Sequence, residues 1–382
     1  MQGILANVNK DDTYNENFIY DHCTPEYYVS NKHTLDKNRL KNKHMFTFFN
    51  KVIHYQDLIK FKININNINI NHKYLKYSQN LDELFIHAIK NENIKWTRIL
   101  IKNGADIHYD NDYALRWSSE NGHIEIIKYL AENGVNIHAN DDRALILSSK
   151  NGHIEIVKFL VGKGVNVHTN DDYALKISSQ NGHIEVVKFL VEKGANVRAD
   201  DNYAIRKSSK YGHINVVKFL VEKGADIHAD DESAFLWSSR NGHIDVVKFL
   251  IENGANIHVN DDCALKWSSY HGHIEVVKYL IEKGSNIHAE DDFALRKSSR
   301  YGYIEIVKLL VEKGANIHTC HDYAFKKADK YKHLEVIKFL LQTDIYHFRS
   351  MEIYTQILEK YNLNFFCLEI IGQRIKNFDF GR

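Results

Sequence analysis

Two columns of histidine recur along this sequence with a step of 30 residues. The first column is His123, His153, His183, His213, His243, His273 and His333. The second column is His108, His138, His168, His228, His258, His288 and His318. Imidazole is a common metal ligand, but zinc holds its ligands at about 2 Å, whereas stacked repeats lie about 10 Å apart. Histidines of one column therefore cannot share one ion, and we predict structural hydrogen bonds, no metal site and no cofactor.

Paired serines such as Ser148 and Ser149 follow the same frame and are the other candidates for chemistry. A serine nucleophile needs an adjacent base, whereas these serines recur in unit after unit on what reads as a helix face. Their small size lets a neighbouring helix approach closely, and their hydroxyls can bond back to the preceding turn. No nucleophile elbow, phosphate-binding loop or isolated acid pair interrupts the repetition. We predict no catalytic residue and no enzyme activity.

The elements that position these residues are repeated units of 30 residues. The motif Asn-Gly-His begins at residues 121, 151, 181 and 241, and variants follow in the same frame at 211, 271, 301 and 331. A second glycine keeps the same step: Gly104, Gly134, Gly164, Gly194, Gly224, Gly254, Gly284 and Gly314. Self-similarity at such a period indicates a solenoid, because each unit can bury its apolar face only against its neighbours. We count nine units and predict an all-α repeat solenoid.

The unit at residues 231–260 shows how the sequence specifies its first helix. Asp231 and Glu232 are predicted to open this helix, with carboxylates that cap free backbone N–H groups and oppose the helix dipole. Small residues then line one face as far as Arg240. Gly242 closes the helix, since glycine adopts the left-handed conformation at low cost.

The second helix of the unit is more apolar and is predicted over residues 244–252. Its broad apolar surface must be covered on two sides. Gly254 ends it, and a short extended connector leads to the next unit. This order of elements, together with stretches such as NGHIEVVKFLVEKGANIHA, resembles the ankyrin repeat, and the resemblance covers residues 79–342.

Two departures from the ankyrin pattern are visible in the sequence. The usual unit has about 33 residues and opens with Thr-Pro-Leu-His, whereas this unit has 30 and reads, for example, Tyr173-Ala-Leu-Lys176. The resemblance therefore implies helix-turn-helix units with shortened hairpin fingers. Units of this length also resemble the ankyrin arrays that giant DNA viruses of amoebae encode, which would make this a viral protein.

The array is predicted over residues 79–343, with degenerate units at both ends because an end unit faces water on one side. Residues 1–78 form a separate N-terminal segment of partly low-complexity sequence, and a degenerate cap is one reading of residues 45–62. Residues 344–382 carry an apolar, aromatic pattern and are predicted to form a C-terminal helical cap.

Charge and cysteine usage limit the cellular setting. A formal net charge of +1 gives no general attraction to nucleic acid or to an anionic membrane. The 4 cysteines lie far apart without a CxxC pair, which fits a reducing compartment. The N-terminus lacks the shape of a signal peptide, and no apolar run reaches the roughly 20 residues of a membrane span. We expect an intracellular, cytoplasmic monomer, in the host cytoplasm if the protein is viral.

Positions that vary between otherwise similar units point to a binding face. Two adjacent columns read Glu120/Asn121, Lys150/Asn151, Gln180/Asn181, Lys210/Tyr211, Arg240/Asn241, Tyr270/His271, Arg300/Tyr301 and Lys330/Tyr331. By resemblance, ankyrin proteins use these positions on a concave recognition face, together with a fingertip residue ahead of the first helix. The fingertip column reads Tyr113, Arg143, Tyr173, Tyr203, Ser233, Cys263, Phe293 and Tyr323.

From the fifth unit onward these columns become basic and aromatic. The predicted partner-binding residues are Lys210, Tyr211, Arg240, Tyr270, His271, Arg300, Tyr301, Lys330 and Tyr331. Further basic residues deepen the bias: Arg206, Lys207, Lys266, Arg296, Lys297, Lys326 and Lys327. An alternative stays open, in which each basic residue pairs with a fingertip acid and does nothing further. Trp117, Trp237 and Trp267 share a half-exposed column, and we predict that they pack between repeats.

The sequence supports a leading function and two alternatives. The leading hypothesis is a non-catalytic scaffold that binds an acidic segment of a protein partner, a host protein if the chain is viral. The first alternative is a substrate adaptor of a ubiquitin ligase, which needs a recruitment module in residues 1–78 or 344–382. The second is single-stranded nucleic-acid binding, with bases stacked on tyrosines, although net neutrality and the acidic fingertips argue against it.

Overall fold

The computed structural model describes residues 81–343 and 360–361. Within that part of the chain the fold is an all-α repeat solenoid of eighteen helices without a strand. The described residues divide into two compact units, the first ending at Ala174 and the second beginning at Leu175. The predicted N-terminal segment and all but two residues of the predicted C-terminal cap lie outside the described residues.

The helices form nine consecutive pairs, one pair per repeat. In chain order they are α1 (Leu81–Lys90), α2 (Ile94–Lys102), α3 (Tyr109–Asn121), α4 (Ile124–Glu132), α5 (Ala139–Lys150), α6 (Ile154–Gly162), α7 (Thr169–Gln180), α8 (Ile184–Glu192), α9 (Ala199–Lys210), α10 (Ile214–Glu222), α11 (Ala229–Arg240), α12 (Ile244–Glu252), α13 (Val259–His271), α14 (Ile274–Glu282), α15 (Ala289–Tyr301), α16 (Ile304–Glu312), α17 (Thr319–Lys330) and α18 (Leu334–Thr343). Odd numbers mark the first helix of each repeat and even numbers the second.

First helices pack on one another through small side chains. In the second compact unit α11 contacts α9 and α13. Its residues Ala234, Ser238 and Ser239 are buried. The hydroxyl of Ser238 donates to the Phe235 carbonyl at 2.9 Å, which is the predicted bond to the preceding turn. Ser239 has no such partner among the described residues. Its small volume lets the neighbouring helix approach closely.

Second helices supply most of the apolar core. Val246, Val247 and Leu250 of α12 are fully buried, and corresponding residues are buried in the other helices of this kind. Each such side chain contributes about 1.5–3 kcal/mol when it leaves water. Within the second unit α12 contacts α10 on one side and α14 on the other, so the predicted two-sided burial is confirmed.

A left-handed turn begins each first helix from α3 to α17, and it corrects the predicted helix start. In α11 the φ angles of Asp230, Asp231 and Glu232 are 53°, 49° and 63°, and the other seven turns have three positive φ angles in the same frame. Asn and Asp tolerate this conformation better than most residues. Glu232 does not cap the helix: it accepts the Nδ1–H of His228 at 2.6 Å and the backbone N–H of Asn256 at 3.2 Å.

The connectors are turns rather than extended segments. After Gly254, which ends α12 with a φ of 99°, Asn256 Oδ1 accepts the backbone N–H of His258 at 3.0 Å. The Asn256 carbonyl then accepts the N–H of Val259 at 3.3 Å. No β-hairpin forms in residues 81–343. The finger that the sequence predicted as a shortened hairpin is therefore the left-handed turn itself.

Candidate partner-binding face

All nine predicted site residues lie in the second compact unit, at or directly after the C-terminal ends of its first helices. Lys210 ends α9, Arg240 ends α11, His271 ends α13 and Lys330 ends α17. Because these helices pack side by side, each repeat contributes one or two residues to the same line.

Lysine, arginine and tryptophan alternate at the start of this line. The Nζ atom of Lys210 lies 4.4 Å from the ring centroid of Trp237. The guanidinium carbon of Arg240 lies 5.0 Å from the Trp237 ring and 4.9 Å from the Trp267 ring. A cation over an aromatic face contributes about 0.5–1 kcal/mol at an exposed site. Arg240 is thus held between the indoles of two successive repeats.

Four aromatic rings meet at the centre of the line. The Tyr270 ring lies 5.4 Å from Trp267, 4.9 Å from His271 and 4.9 Å from Tyr301. The hydroxyl of Tyr301 donates to that of Tyr270 at 2.9 Å. Edge-to-face contacts of this kind stabilise a pair by about 0.5–1.5 kcal/mol beyond the area buried.

Arginine and tyrosine continue the line in the last two repeats. The guanidinium carbon of Arg300 lies 5.5 Å from both the Tyr301 and the Tyr331 rings, and Arg300 donates to the Tyr331 hydroxyl at 3.3 Å. Lys330 lies 5.8 Å from the Tyr331 ring. We call the whole line the cation–aromatic row; it comprises Lys210, Tyr211, Trp237, Arg240, Trp267, Tyr270, His271, Arg300, Tyr301, Lys330 and Tyr331.

The row is open to solvent. Tyr211, Tyr301 and Tyr331 are 47%, 36% and 42% exposed, whereas Trp237 and Trp267 are half-buried beneath the cations. Exposed tyrosine and arginine are residue types that supply much of the energy of protein interfaces.

In the part of the chain that the structure describes, the cations of the row have no carboxylate partner. Within the described residues, no acidic group lies within salt-bridge distance of Lys210, Arg240, Arg300 or Lys330. The fingertip acids pair instead with a neighbouring basic column: Asp230 lies 2.8 Å from Arg206, and Glu290 lies 3.0 Å from Lys266. Among the described residues, the alternative of mutual neutralisation therefore holds for Arg206 and Lys266 and not for the four cations of the row.

Some basic residues that the sequence assigned to the face have structural contacts. Arg296 donates to the carbonyls of Asp291 and Glu290, both at 2.8 Å, and Arg206 does the same in its own repeat. These guanidinium groups satisfy the carbonyls of the left-handed turn. Lys207, Lys297 and Lys327 lie over the fingertip rings of Tyr203, Phe293 and Tyr323, at 5.1, 4.9 and 5.0 Å.

Burial and neighbouring positive charges lower the pKa of two groups in or beside the row. Burial lowers the pKa of Lys207, and the charges of Lys210 and Arg206 lower it further. Burial likewise lowers the pKa of His271, with added repulsion from Arg240 and His273. A neutral His271 therefore sits among the cations as a further aromatic ring.

Five members of the first histidine column make the structural hydrogen bonds that the sequence predicted. The Nε2 atoms of His153, His213, His243, His273 and His333 lie 2.9–3.0 Å from a carbonyl at the end of the preceding repeat's first helix. A carbonyl can only accept, so Nε2 carries the proton. For His243, His273 and His333 the acceptors are the carbonyls of Lys210, Arg240 and Arg300. These bonds fix the backbone beneath three cations of the row.

The second histidine column is paired with acids. In every member, Nδ1 lies 2.6–3.1 Å from the carboxylate four residues later. Several of these carboxylates also accept a backbone N–H of the next connector, as Asp262 does from Asn286 at 2.9 Å. In the one repeat with Arg198 in this column, Asn202 takes the acid's place and accepts from Asp226 at 2.8 Å. The histidine and acid together fasten one repeat to the next.

Comparison with protein-family models gives matches along most of the chain. A model described as ankyrin repeats in three copies matches residues 51–141, 145–231 and 203–291. A single ankyrin repeat matches residues 294–323. The chain belongs to the ankyrin-repeat family. A comparison with curated proteins finds no match. Ankyrin repeats are generally non-catalytic modules that bind other proteins, which supports an interaction scaffold.

One signal in these ankyrin repeats was overlooked at the sequence level. Each tryptophan of the shared column follows a cation by 27 residues, as Lys90/Trp117, Lys210/Trp237 and Arg240/Trp267. The structure places all three cations over those rings. In the first compact unit the Nζ atom of Lys90 lies 5.4 Å from the centroid of the Trp117 ring. The predicted packing of the tryptophans between repeats is therefore stacking against a cation.

Residues 81–343 hold no group of three or more His, Cys, Asp or Glu side chains arranged as metal ligands. No helix in the same part of the chain is both long and apolar enough to cross a membrane.

Proposed function

We propose that this ankyrin array is a non-catalytic scaffold that binds an acidic segment of a partner protein on the cation–aromatic row. The observation that carries the proposal is that Lys210, Arg240, Arg300 and Lys330 contact aromatic rings and, among the described residues, no carboxylate. A cation over a ring keeps its full charge, whereas an ion-paired cation is neutralised. The row therefore presents positive charge that a partner's carboxylates can use.

The rings also prepare the cations for binding. A long basic side chain loses about 0.5–1.5 kcal/mol of conformational freedom when a partner fixes it. Arg240 is already held between Trp237 and Trp267, and Arg300 is held between Tyr301 and Tyr331. Part of the ordering cost is thus met before a partner arrives.

The proposal extends to the biological setting through the sequence resemblance. A giant-virus origin would make the partner a host protein in the host cytoplasm. An adaptor role in a ubiquitin ligase would add a recruitment module in residues 1–78 or 344–382. Single-stranded nucleic acid would use the same tyrosines as stacking platforms, so the experiment must separate protein from nucleic acid.

An affinity capture from cell lysate tests the proposal. We compare wild type with a row variant carrying Lys210→Glu, Arg240→Glu, Arg300→Glu and Lys330→Glu. The matched control variant carries Lys193→Glu, Lys223→Glu, Lys283→Glu and Lys313→Glu, which change the net charge equally at exposed positions after the second helices. Captured proteins are identified by mass spectrometry, with and without nuclease.

We expect a protein that wild type and the control variant retain, that the row variant loses, and that nuclease leaves in place. Capture of the same proteins by all three forms would show that the row does not bind them. Capture that nuclease abolishes would favour the nucleic-acid alternative. Thermal unfolding of each variant, followed by circular dichroism, verifies that loss of capture is not loss of folding.

A further inference from the structure

The spacing of the row is set by the stacking of the repeats. Because Arg240 lies 5.0 Å from the Trp237 ring and 4.9 Å from the Trp267 ring, the two ring centroids are no more than about 10 Å apart. Arg300 is equally distant, at 5.5 Å, from Tyr301 and Tyr331. These distances set an upper limit of about 10–11 Å on one step along the row, and packed helices are usually about 8–10 Å apart, so we infer a step of about 9–10 Å.

The row has five positions with a symmetric chemical order. Lys210 and Arg240 are cations, Tyr270 and its neighbouring rings are aromatic, and Arg300 and Lys330 are again cations. The central position has no cation of its own, and Tyr270 there contacts Trp267, His271 and Tyr301. A complementary ligand carries two acids, one apolar side chain and two more acids at steps of about 10 Å.

Only one regular backbone conformation presents side chains at this step with a short segment. A polyproline II helix has 3 residues per turn and rises about 3.1 Å per residue, so every third side chain returns to the same side after about 9 Å. A β-strand turns every third side chain to the opposite face. An α-helix needs seven residues for about 10.5 Å and would need about 29 residues to cover five positions.

We propose that the row binds a segment in polyproline II conformation and contacts every third residue. The segment carries Asp or Glu opposite Lys210, Arg240, Arg300 and Lys330, and an apolar side chain opposite Tyr270. This inference rests on the proposed function, because it assumes that the row binds an acidic protein segment. Charge complementarity identifies the occupant, and the repeat spacing sets its register.

Two synthetic peptides of thirteen residues and identical composition test the register. The in-register peptide has glutamate at its first, fourth, tenth and thirteenth positions, leucine at its seventh, and proline and alanine elsewhere. The shifted peptide has glutamate at its first, second, twelfth and thirteenth positions. Both patterns are symmetric, so the direction in which the peptide lies does not matter. Fluorescence anisotropy with the full-length chain, the row variant and the control variant gives the dissociation constants.

We expect the in-register peptide to bind wild type and the control variant about tenfold more tightly than the shifted peptide does, and to lose that advantage on the row variant. Equal binding of both peptides to wild type, with loss on the row variant, would overturn the register and leave the proposed function standing. Binding of neither peptide, or equal binding to the row and control variants, would overturn both.

Discussion

At Gly212 an added Cβ atom would lie 2.5 Å from Nδ1 of His243 in the next repeat, and the φ angle of Gly212 is +78°. The glycine is therefore required twice, once for the left-handed turn and once for the imidazole that lies over it. The Nε2–H of the same imidazole donates a hydrogen bond to the Lys210 carbonyl at 2.9 Å. This contact couples the end of a first helix to its neighbour directly beneath a cation of the row.

We predict that Gly212→Ala destabilises the array by about 3 kcal/mol, because left-handed strain of about 1–2 kcal/mol is joined by a clash with His243. Gly254→Ala is the matched control: its φ angle is +99° and nothing lies within 4 Å of the added Cβ, so only strain of about 1–2 kcal/mol remains. Urea unfolding measures both. An equal loss in the two variants would show that the imidazole does not require the glycine.

His213 and His273 of the first histidine column should respond to pH in the opposite direction to His228 of the second column. Burial lowers the pKa of His213 and of His273 below 6.5, whereas the bond to Glu232 raises the pKa of His228 above 6.5. The stability linked to His213 and His273 is present above the unfolded pKa and is lost as pH falls through the lowered folded value. The stability linked to His228 is present below the unfolded pKa and is lost as pH rises through the raised folded value.

Nuclear magnetic resonance titration of the imidazole resonances measures these pKa values residue by residue. We expect midpoints below 6.5 for His213 and His273 and above 6.5 for His228. A midpoint for His213 at or above that of His228 would contradict either the burial of His213 or the bond between His228 and Glu232.

At the scale of the element, the left-handed turn and the connector act as one joint. Asp262 in the turn before α13 accepts from His258 at 3.1 Å and from the backbone N–H of Asn286 at 2.9 Å. Asp262 as a whole is 3% exposed. A hydrogen bond to a charged group contributes about 1.5–3 kcal/mol to stability.

We predict that Asp262→Ala lowers the free energy of unfolding by about 2 kcal/mol, because the N–H of Asn286 loses its acceptor. Asp262→Asn should cost less than about 1 kcal/mol, since an amide oxygen can replace the carboxylate, as Asn202 does for Asp226. Chemical denaturation of the two variants measures the difference. If the asparagine variant were as unstable as the alanine variant, the charge rather than the acceptor would hold the joint.

The elements differ in how far the sequence predicts them. The second helix predicted over residues 244–252 is α12 without a change of boundary, because its apolar pattern and terminal glycine are local signals. The predicted start of the first helix was wrong. An acidic pair before a helix is typical of a cap, and the prediction followed that pattern. The structure instead places Asp231 and Glu232 in a left-handed turn. That choice depends on a hydrogen bond to the next repeat, which no local pattern records.

At the scale of the whole molecule, stability is built from neighbouring repeats. Within each compact unit, the principal helix contacts join helices of one repeat or of adjacent repeats. In such an array the free energy is close to a sum of repeat terms and interface terms, so a local defect spreads only to its neighbours.

Hydrogen exchange followed by mass spectrometry should reveal this locality. We predict that Asp262→Ala speeds exchange in α13 and α15, on either side of the joint, because these helices lose a shared interface. Exchange in α9, two repeats earlier, should stay within experimental error of wild type. A uniform loss of protection across the second compact unit would mean that this compact unit unfolds as one cooperative block.

The candidate site was predictable as a set of columns but not as a set of contacts. The frame of the repeat brings Lys210, Arg240 and Arg300 to one line, and counting residues is enough to find it. Which cations would pair with fingertip acids and which with rings depends on side-chain reach between repeats. In the structure Arg206 forms an ion pair with Asp230, and Arg240 contacts the rings of two tryptophans. Only the spacing of 27 residues between cation and tryptophan carried this information in the sequence.

The central claim is that the cation–aromatic row, rather than the overall charge of the chain, attracts an acidic segment. The most direct measurement is the affinity of a fluorescent polyglutamate peptide for wild type, the row variant and the control variant at one salt concentration. Each lost contact with an exposed cation is worth up to about 1 kcal/mol, so the row variant should bind about tenfold or more weakly. The control variant should stay within about twofold of wild type. Equal weakening of both variants would contradict the claim, since it would show that the peptide responds to net charge alone.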